Sequence, residues 1–281
     1  MALTGIEGKV ALVTGAARRR GIGRATALRL AREGADVACL DIARPYAEFP
    51  GYGVATADEL DEVVAEIEAL GRRAVGLRAD VASEADVEEA VEAATKALGP
   101  IQFVAHVAGG AGAGMGAGPL LALGAAEFDR VIDVNLKGTW LVCRAAARRM
   151  IGSGCSGRIV NVSSQAGKRP FAFLGAYAAA KAGVIMLTQV LATELGPSGI
   201  TVNAVCPGTV DTDLLNKDGQ FEQLVGSTTE GGMASWLARE IPLGRLETAD
   251  DVAAAIALLL SDDAAYITGE AVNVSGGQTM Y

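Results

Sequence analysis

The sequence predicts an α/β fold: one doubly wound, parallel β-sheet with helices on both faces. Three observations predict it. Short apolar runs rich in Val, Ala and Leu alternate along the whole chain with longer stretches of helical period. The apolar runs are nearly continuous rather than alternating, as befits strands buried on both faces. Polar residues and glycines collect just after the carboxyl ends of those runs, at Asp41, Asp80, Ala108–Gly110, Ser164 and Pro207-Gly208. Ligands in open α/β sheets bind at that edge.

Taken in order, Lys9–Thr14 reads as the first strand, and Gly15-Ala16-Ala17-Arg18-Arg19-Arg20-Gly21-Ile22-Gly23 as a glycine turn. A helix follows over Ile22–Glu33, stopped by Gly34, and a second strand over Asp36–Leu40 ends on Asp41. Strand, glycine turn, helix, strand and acid make a dinucleotide-binding βαβ unit. Its glycines admit a tight turn and close backbone approach, and its helix N-terminus faces a pyrophosphate. Two more repeats read as Ala74–Ala79 with Glu84–Leu98, and Ile101–Val107 with one helix over Ala125–Met150. Then come a strand at Arg158–Val162, a helix at Ala176–Leu195, a strand at Thr201–Val205, a helix at Ala249–Leu260 and a last strand at Ala271–Val274. Right-handed crossovers leave the doubly wound sheet as the natural topology.

Two segments interrupt the repeat. Ala43–Ala57, with Arg44-Pro45-Tyr46 and Phe49-Pro50-Gly51-Tyr52-Gly53, reads as an ordered loop: either a lid near the adenosine ribose or a surface insertion. Thr209–Leu246, with the amphipathic piece Met233–Arg239, is the expected substrate lid. The Gly/Ala-rich stretch Ala108–Gly118 is expected to be a mobile loop.

A net charge of −9 argues against nucleic acid or an anionic membrane surface as a partner. No apolar run approaches the roughly 20 residues of a membrane span. The first nine residues lack the basic region and apolar core of a signal peptide, and the expected setting is the cytoplasm. Cys39, Cys143, Cys155 and Cys206 are scattered without CxxC spacing, so neither a disulfide framework nor a metal site is suggested.

The chemistry centres on Asn161–Lys181. The strand ending at Val162 delivers Ser163 and Ser164, and Tyr177 and Lys181 lie four apart, on one helix face. An ammonium beside a phenol favours the phenolate, so the Tyr177 pKa is expected to fall from its usual ~10 toward neutrality. That suits a proton-transfer catalyst.

In order and spacing, these residues resemble the short-chain dehydrogenase/reductase family over essentially the whole chain. The resemblance rests on Thr14-Gly15…Gly21-Ile22-Gly23, Asp80-Val81, Ala108-Gly109, Asn135, Asn161-Val162-Ser163-Ser164, Tyr177-x3-Lys181 and Pro207-Gly208-x-Val210-x-Thr212. It implies a single Rossmann-type domain over residues 1–281, with a cofactor half to about residue 150 and a catalytic and substrate-lid half beyond. The family's spacing of 13 residues before the Tyr selects Ser164 over Ser163. Tyr177 is then the general acid/base, and Ser164 donates to the substrate oxygen. Lys181 lowers the Tyr177 pKa and binds the nicotinamide ribose, and Asn135 holds a water in a proton relay. Gly15, Arg20, Gly21, Ile22, Gly23, Ala108, Gly109, Pro207, Gly208 and Val210 join Tyr177 and Lys181 around the cofactor. Asp80 and Val81 serve the adenine and Thr212 the carboxamide.

The chain departs from the family pattern in two places. The glycine turn is two residues longer than usual, within Arg18-Arg19-Arg20, and His106 stands where an Asn is usual. His106 is read as a structural tie between strand and loop rather than a proton carrier. Asp41, placed to accept both ribose hydroxyls and repel a 2′-phosphate, favours NAD over NADP against the three arginines. The expected reaction is reversible hydride transfer between NAD(H) and a secondary alcohol or ketone. Ser164, Phe171, Tyr177 and Trp236 line the substrate region, with Phe173, Lys168 and Arg169 close by. An acidic protein is a poor dock for acidic acyl-carrier proteins. The insertion after Asp41 resembles that of mycofactocin-coupled members, in which NAD stays bound and an external carrier removes the electrons. An NADP-dependent carbonyl reductase and a silent dinucleotide sensor are the remaining alternatives. Apolar residues spread over several faces of the two long helices suggest a homotetramer.

Overall fold

A computed structural model describes residues 3–49, 52–112, 114–216 and 219–281. Pro50 and Gly51 of the first interruption, Ala113 of the Gly/Ala-rich stretch, and Lys217 and Asp218 of the second interruption lie outside the described residues. Seven parallel strands form one sheet: β1 (Val10–Thr14), β2 (Asp36–Asp41), β3 (Ala74–Arg78), β4 (Phe103–His106), β5 (Gly157–Val162), β6 (Ile200–Pro207) and β7 (Ala271–Val274). Their order is β3-β2-β1-β4-β5-β6-β7, the Rossmann-type doubly wound arrangement.

Side-chain alternation along each strand splits the core into two layers. From β1, Ala11 and Val13 join the layer under α1 (Ile22–Arg32) and α9 (Ala249–Leu260). Val10 and Leu12 join the layer under α3 (Glu84–Leu98) and α5 (Gly138–Gly152). The central strands are therefore apolar along most of their length, with the polar Thr14, His106 and Asn161 near their carboxyl ends. Each layer holds a buried cysteine, Cys39 in the first and Cys143 in the second.

The stretch expected to be one helix over Ala125–Met150 is two. After α4 (Ala125–Ile132) the chain makes a π turn, Asp133–Lys137, and resumes as α5. A π turn admits one extra residue without breaking the helical run, so the stretch reads as one helix and only a shift in the phase of its apolar face marks the turn. The first interruption is a loop that leads into α2 (Ala57–Ala69), which a Thr56/Glu59 capping box starts. The second holds α7 (Gln220–Thr228) and α8 (Gly232–Glu240), locked edge to face by Phe221 and Trp236 at 5.3 Å.

Helix α6 (Gly175–Leu195) modifies the expectation about membrane spans: with the turn after it, Gly175–Ser198 is long and apolar enough to cross a bilayer by length and composition. Here it packs on β6 and carries the Tyr/Lys pair. Its low sequence amphipathicity reflects neighbours on one side and exposed Met186 and Val190 on another.

Candidate active site

The end of β5 presents two serines with different fates. Ser163 is buried, and its hydroxyl donates to the Lys181 carbonyl at 2.8 Å, tying strand to helix. Ser164 is partly exposed, and its Oγ accepts from Ala166 N at 3.1 Å, which leaves its proton free to donate. Lys181 is 2% exposed, donates from Nζ to Val162 O at 2.8 Å, and lies 5.5 Å from the Tyr177 ring centre. The π turn aims the buried Asn135 at the loop after β4. Its Nδ2 donates to Gly110 O and Val131 O, each at 2.9 Å, and its Oδ1 accepts from Gly110 N at 2.8 Å.

Those bonds spend the Asn135 side chain on holding the Ala108–Gly110 backbone. Farther along the same loop Met115 is buried against Tyr46 and Tyr52, and Gly116 N donates to Glu127 at 2.7 Å. Glycine is required by close approach at Gly109, Gly110 and Gly116, where a Cβ would lie 2.6 Å, 2.5 Å and 2.3 Å from a neighbouring side chain.

Electrostatics here run against the expectation from spacing. Burial pushes the Tyr177 phenol up, with the Ser164 hydroxyl pulling the other way. Burial also pushes the Lys181 ammonium down to about 8. For both groups the largest cause is the cost of holding a charge in a desolvated floor.

Gly15, Gly21, Ile22, Gly23, Asp41, Asp80, Val81, Ala108, Gly109, Pro207, Gly208, Val210 and Thr212 line one cleft together with Ser164, Tyr177 and Lys181. Its volume, about 630 Å³, is within the usual range for small-molecule sites. The extra pair in the glycine turn is accommodated outward. Gly21 N donates to Arg18 O at 3.0 Å, closing a turn that carries Arg19 and Arg20 to the surface. Gly23 is required by close approach, since a Cβ there would lie 2.0 Å from Gly15 O.

Arg20, expected at the cofactor, is a correction. Its guanidinium pairs with Asp211 at 2.5 Å and Asp213 at 3.7 Å, outside the cleft. Arg18 lines the cleft in its place and donates to Gly53 O at 2.7 Å. Asp41 is buried; its carboxylate accepts from Ala17 N at 3.0 Å and Ala43 N at 3.2 Å, against a burial cost that pushes its pKa up. Asp80 accepts from Arg130 at 2.7 Å, and that guanidinium stacks on Tyr46 at 4.3 Å.

In sequence the first interruption reads as a lid or a surface insertion; its residues Tyr46, Tyr52, Val54 and Ala55 line the cleft, so it is not a plain surface insertion. Tyr46 and Tyr52 are buried and line the cleft, and a Cβ on Gly110 would lie 2.5 Å from the Tyr52 hydroxyl.

At the other end, Phe171 and Trp236 line the cleft as expected, and Leu174, Leu214, Leu215, Phe221, Glu240 and Gln278 join them. Phe173 does not: it is 62% exposed, at φ +68°. Lys168 and Arg169 are turned to structural work. Lys168 Nζ donates to Ala271 O at 2.7 Å. Arg169 donates to Gln278 O at 3.0 Å, pairs with Glu240 at 3.7 Å and stacks on Phe171 at 4.7 Å.

The family model described as Enoyl-(Acyl carrier protein) reductase matches residues 15–279. A short-chain dehydrogenase/reductase of Armillaria gallica is 39% identical over 285 residues, covering 99% of this chain and 98% of its own. The chain is a short-chain dehydrogenase/reductase. A cyclohexanol dehydrogenase of Rhodococcus sp. (strain TK6) is 41% identical, with 98% and 97% of the two chains covered. Carveol dehydrogenase from Mycobacterium avium, solved in complex with NAD, matches with a TM-score of 0.87 at 34% identity over 97% of this chain and 98% of that one.

As a short-chain dehydrogenase/reductase, this oxidoreductase carries an unusual histidine in its sheet. His106 is 1% exposed, and its Nδ1 lies 3.0 Å from Thr14 Oγ1. That hydroxyl already accepts from Val107 N and Ala108 N, each at 3.0 Å, so it donates to the imidazole. Burial, with the Lys181 charge adding, pushes His106 down to about 3. A neutral ring tying β1 to the β4 loop is a structural residue. Gln278 and Glu240 had no signal in the sequence: one lies far from every motif, and the other sits at the end of a helix expected only in outline.

Proposed function

We propose that this enzyme is an NAD-dependent dehydrogenase interconverting a neutral, largely apolar cyclic secondary alcohol and its ketone. The observation that carries the reading is the cleft itself, which joins Asp41 and the glycine turn at one end to Ser164, Tyr177 and an aromatic wall at the other. A nicotinamide dinucleotide fits the chain's own residues. Helix α1 is entered through Gly21, with no side-chain cap and no acid in its first turn, so its N–H groups are left for an anion. Asp41 opposes a 2′-phosphate, Arg19 and Arg20 are engaged by acids, and Arg18 by a carbonyl, which favours NAD over NADP. When bound, the cofactor supplies the hydride chemistry.

The residues handle the proton. Ser164 Oγ–H donates to the substrate oxygen and holds it at Tyr177. In the direction of alcohol oxidation the Tyr177 phenolate takes the hydroxyl proton; in reduction the phenol gives it back. Lys181, fixed by Val162 O, holds its ammonium at the face of Tyr177 and offers its remaining N–H groups to the ribose. Any relay through Asn135 has only its main-chain carbonyl to run by, because the side chain is occupied, and that carbonyl already accepts from Thr139 Oγ1 at 2.7 Å. Because burial raises Tyr177, oxidation gains as pH rises and reduction as it falls.

Support for the substrate class comes from the lid end, where the cations near the aromatic wall are already committed to carbonyls and to Glu240. The cyclohexanol and carveol dehydrogenases among the relatives point the same way. The test is an initial-rate screen of cyclic secondary alcohols and ketones with both cofactors, beside Tyr177→Phe. Turnover with NAD that falls by about 10²-fold or more in the variant is expected. Preference for NADP, or no turnover of any cyclic alcohol, refutes the reading.

The walling of the cleft by Tyr46 and Tyr52 favours a second reading, in which NAD is retained and an external acceptor reoxidises it. Nicotinamide absorbance surviving dialysis of the purified protein would support that; turnover with freely added NAD would dismiss it.

A further inference from the structure

Gln278 belongs to the turn after β7, far in sequence from Ser164, and is 8% exposed. Its Oε1 accepts from Gln165 Nε2 at 3.0 Å, from Thr209 N at 3.1 Å and from Thr209 Oγ1 at 3.0 Å. Gln165 follows the catalytic Ser164, and Thr209 opens the substrate lid. The orientation of the amide follows from these bonds. A backbone N–H can only donate, so the atom facing Thr209 N is the oxygen, and the nitrogen points the other way. Arg169 fixes the same residue from behind through its carbonyl, at 3.0 Å.

The Nε2 atom makes no hydrogen bond to any described residue, yet Gln278 lines the cleft, held against Gln165 beside Ser164 and against Thr209. Two N–H donors on a side chain more than nine-tenths buried are thus left for whatever fills the cleft. A buried donor unmet by its ligand is costly, which is why sites built to bond a polar group discriminate strongly against analogues lacking it.

We propose that Gln278 reads a second oxygen on the substrate. Its Nε2 donates to a hydroxyl or carbonyl oxygen away from the reacting carbon. Resting on the function proposed above, this narrows the substrate to a cyclic secondary alcohol bearing a second oxygen, a diol or hydroxy-ketone, over the mono-alcohol.

The test compares kcat/KM for cyclohexanol with that for the 1,2-, 1,3- and 1,4-cyclohexanediols, with NAD and a redox dye supplied. The wild type is expected to favour at least one diol by about tenfold or more. Gln278→Glu keeps an oxygen for Gln165 and Thr209 but has no N–H to give, and Gln278→Met removes both; in each the diol-to-cyclohexanol ratio should fall toward one, whatever the absolute rates. A wild type that takes cyclohexanol as well as every diol overturns the proposal without any variant. So does a ratio that survives while both rates fall together, which would make Gln278 purely structural. Weakened NAD binding with the ratio intact would assign the amide to the cofactor, and likewise overturns it. No turnover of any cyclic alcohol by the wild type refutes the function itself and this with it; turnover without discrimination refutes this alone.

Discussion

Gly109 shows how narrow the tolerances are around the reacting atoms. It sits at φ +149°, and a Cβ there would lie 2.6 Å from Asn135 Oδ1 and 3.2 Å from Lys181 Nζ. Gly109→Ala must therefore push apart the clamp on the loop and the ammonium beside Tyr177. A displacement of about 1 Å at a catalytic group costs on the order of 10²-fold in rate. Initial rates of this variant should fall by about that much, with circular dichroism unchanged; near-normal rates would contradict the geometry. At this scale the sequence was informative where chemistry demands particular side chains at particular spacings, as at Ser164, Tyr177, Lys181 and Asp41. It misled where orientation decides. Arg20 and Phe173 have suitable chemistry and face away, and burial reversed the direction expected for the Tyr177 phenol.

Among elements, the loop after β6 depends on a residue that no motif marks. Glu247 Oε2 accepts from Gly208 N at 2.7 Å. Its own backbone donates to Thr209 O at 3.1 Å and accepts from Asp211 N at 2.8 Å. The carboxyl is buried, its Oε1 has no partner among the described residues, and burial pushes it up to about 8. Of the charges facing it, Arg245 is engaged by Asp251 at 2.6 Å. An unfolded glutamate titrates near ~4.3. Between that pH and about 8 the folded state holds a proton that the unfolded state has released, so Glu247 makes stability decline as pH rises through this window. Thermal melts at pH 5 and pH 8 should show a smaller loss in Glu247→Gln than in the wild type; an equal loss would place the proton elsewhere. The π turn at Asn135 was illegible for a related reason. Its extra residue turns the following helical face by about 100° without breaking the run, and what demands it is a loop on the far side of the cleft.

Over the whole molecule, the strand order was legible because apolar runs, glycine turns and crossover handedness all agree. What lies outside the molecule was not. Met186 is 60% exposed and Val190 45% exposed on α6, and Trp140 on α5 is 40% exposed. Apolar surface of this kind on two long helices suits burial against a second copy, and a homotetramer is the expected assembly. Light scattering should give a four-chain mass for the wild type and a smaller one for the Met186→Glu, Val190→Glu pair. A monomeric wild type would contradict this. The two-layered core has a further use. Cys39 and Cys143 lie on opposite faces of the sheet, each with its thiol pushed up to about 12 by burial. Neither reacts until its own layer opens. The rates at which the two thiols become modifiable are a pair of internal clocks, one for each face, and they report whether this sheet is uncovered from both sides at once or from one side first.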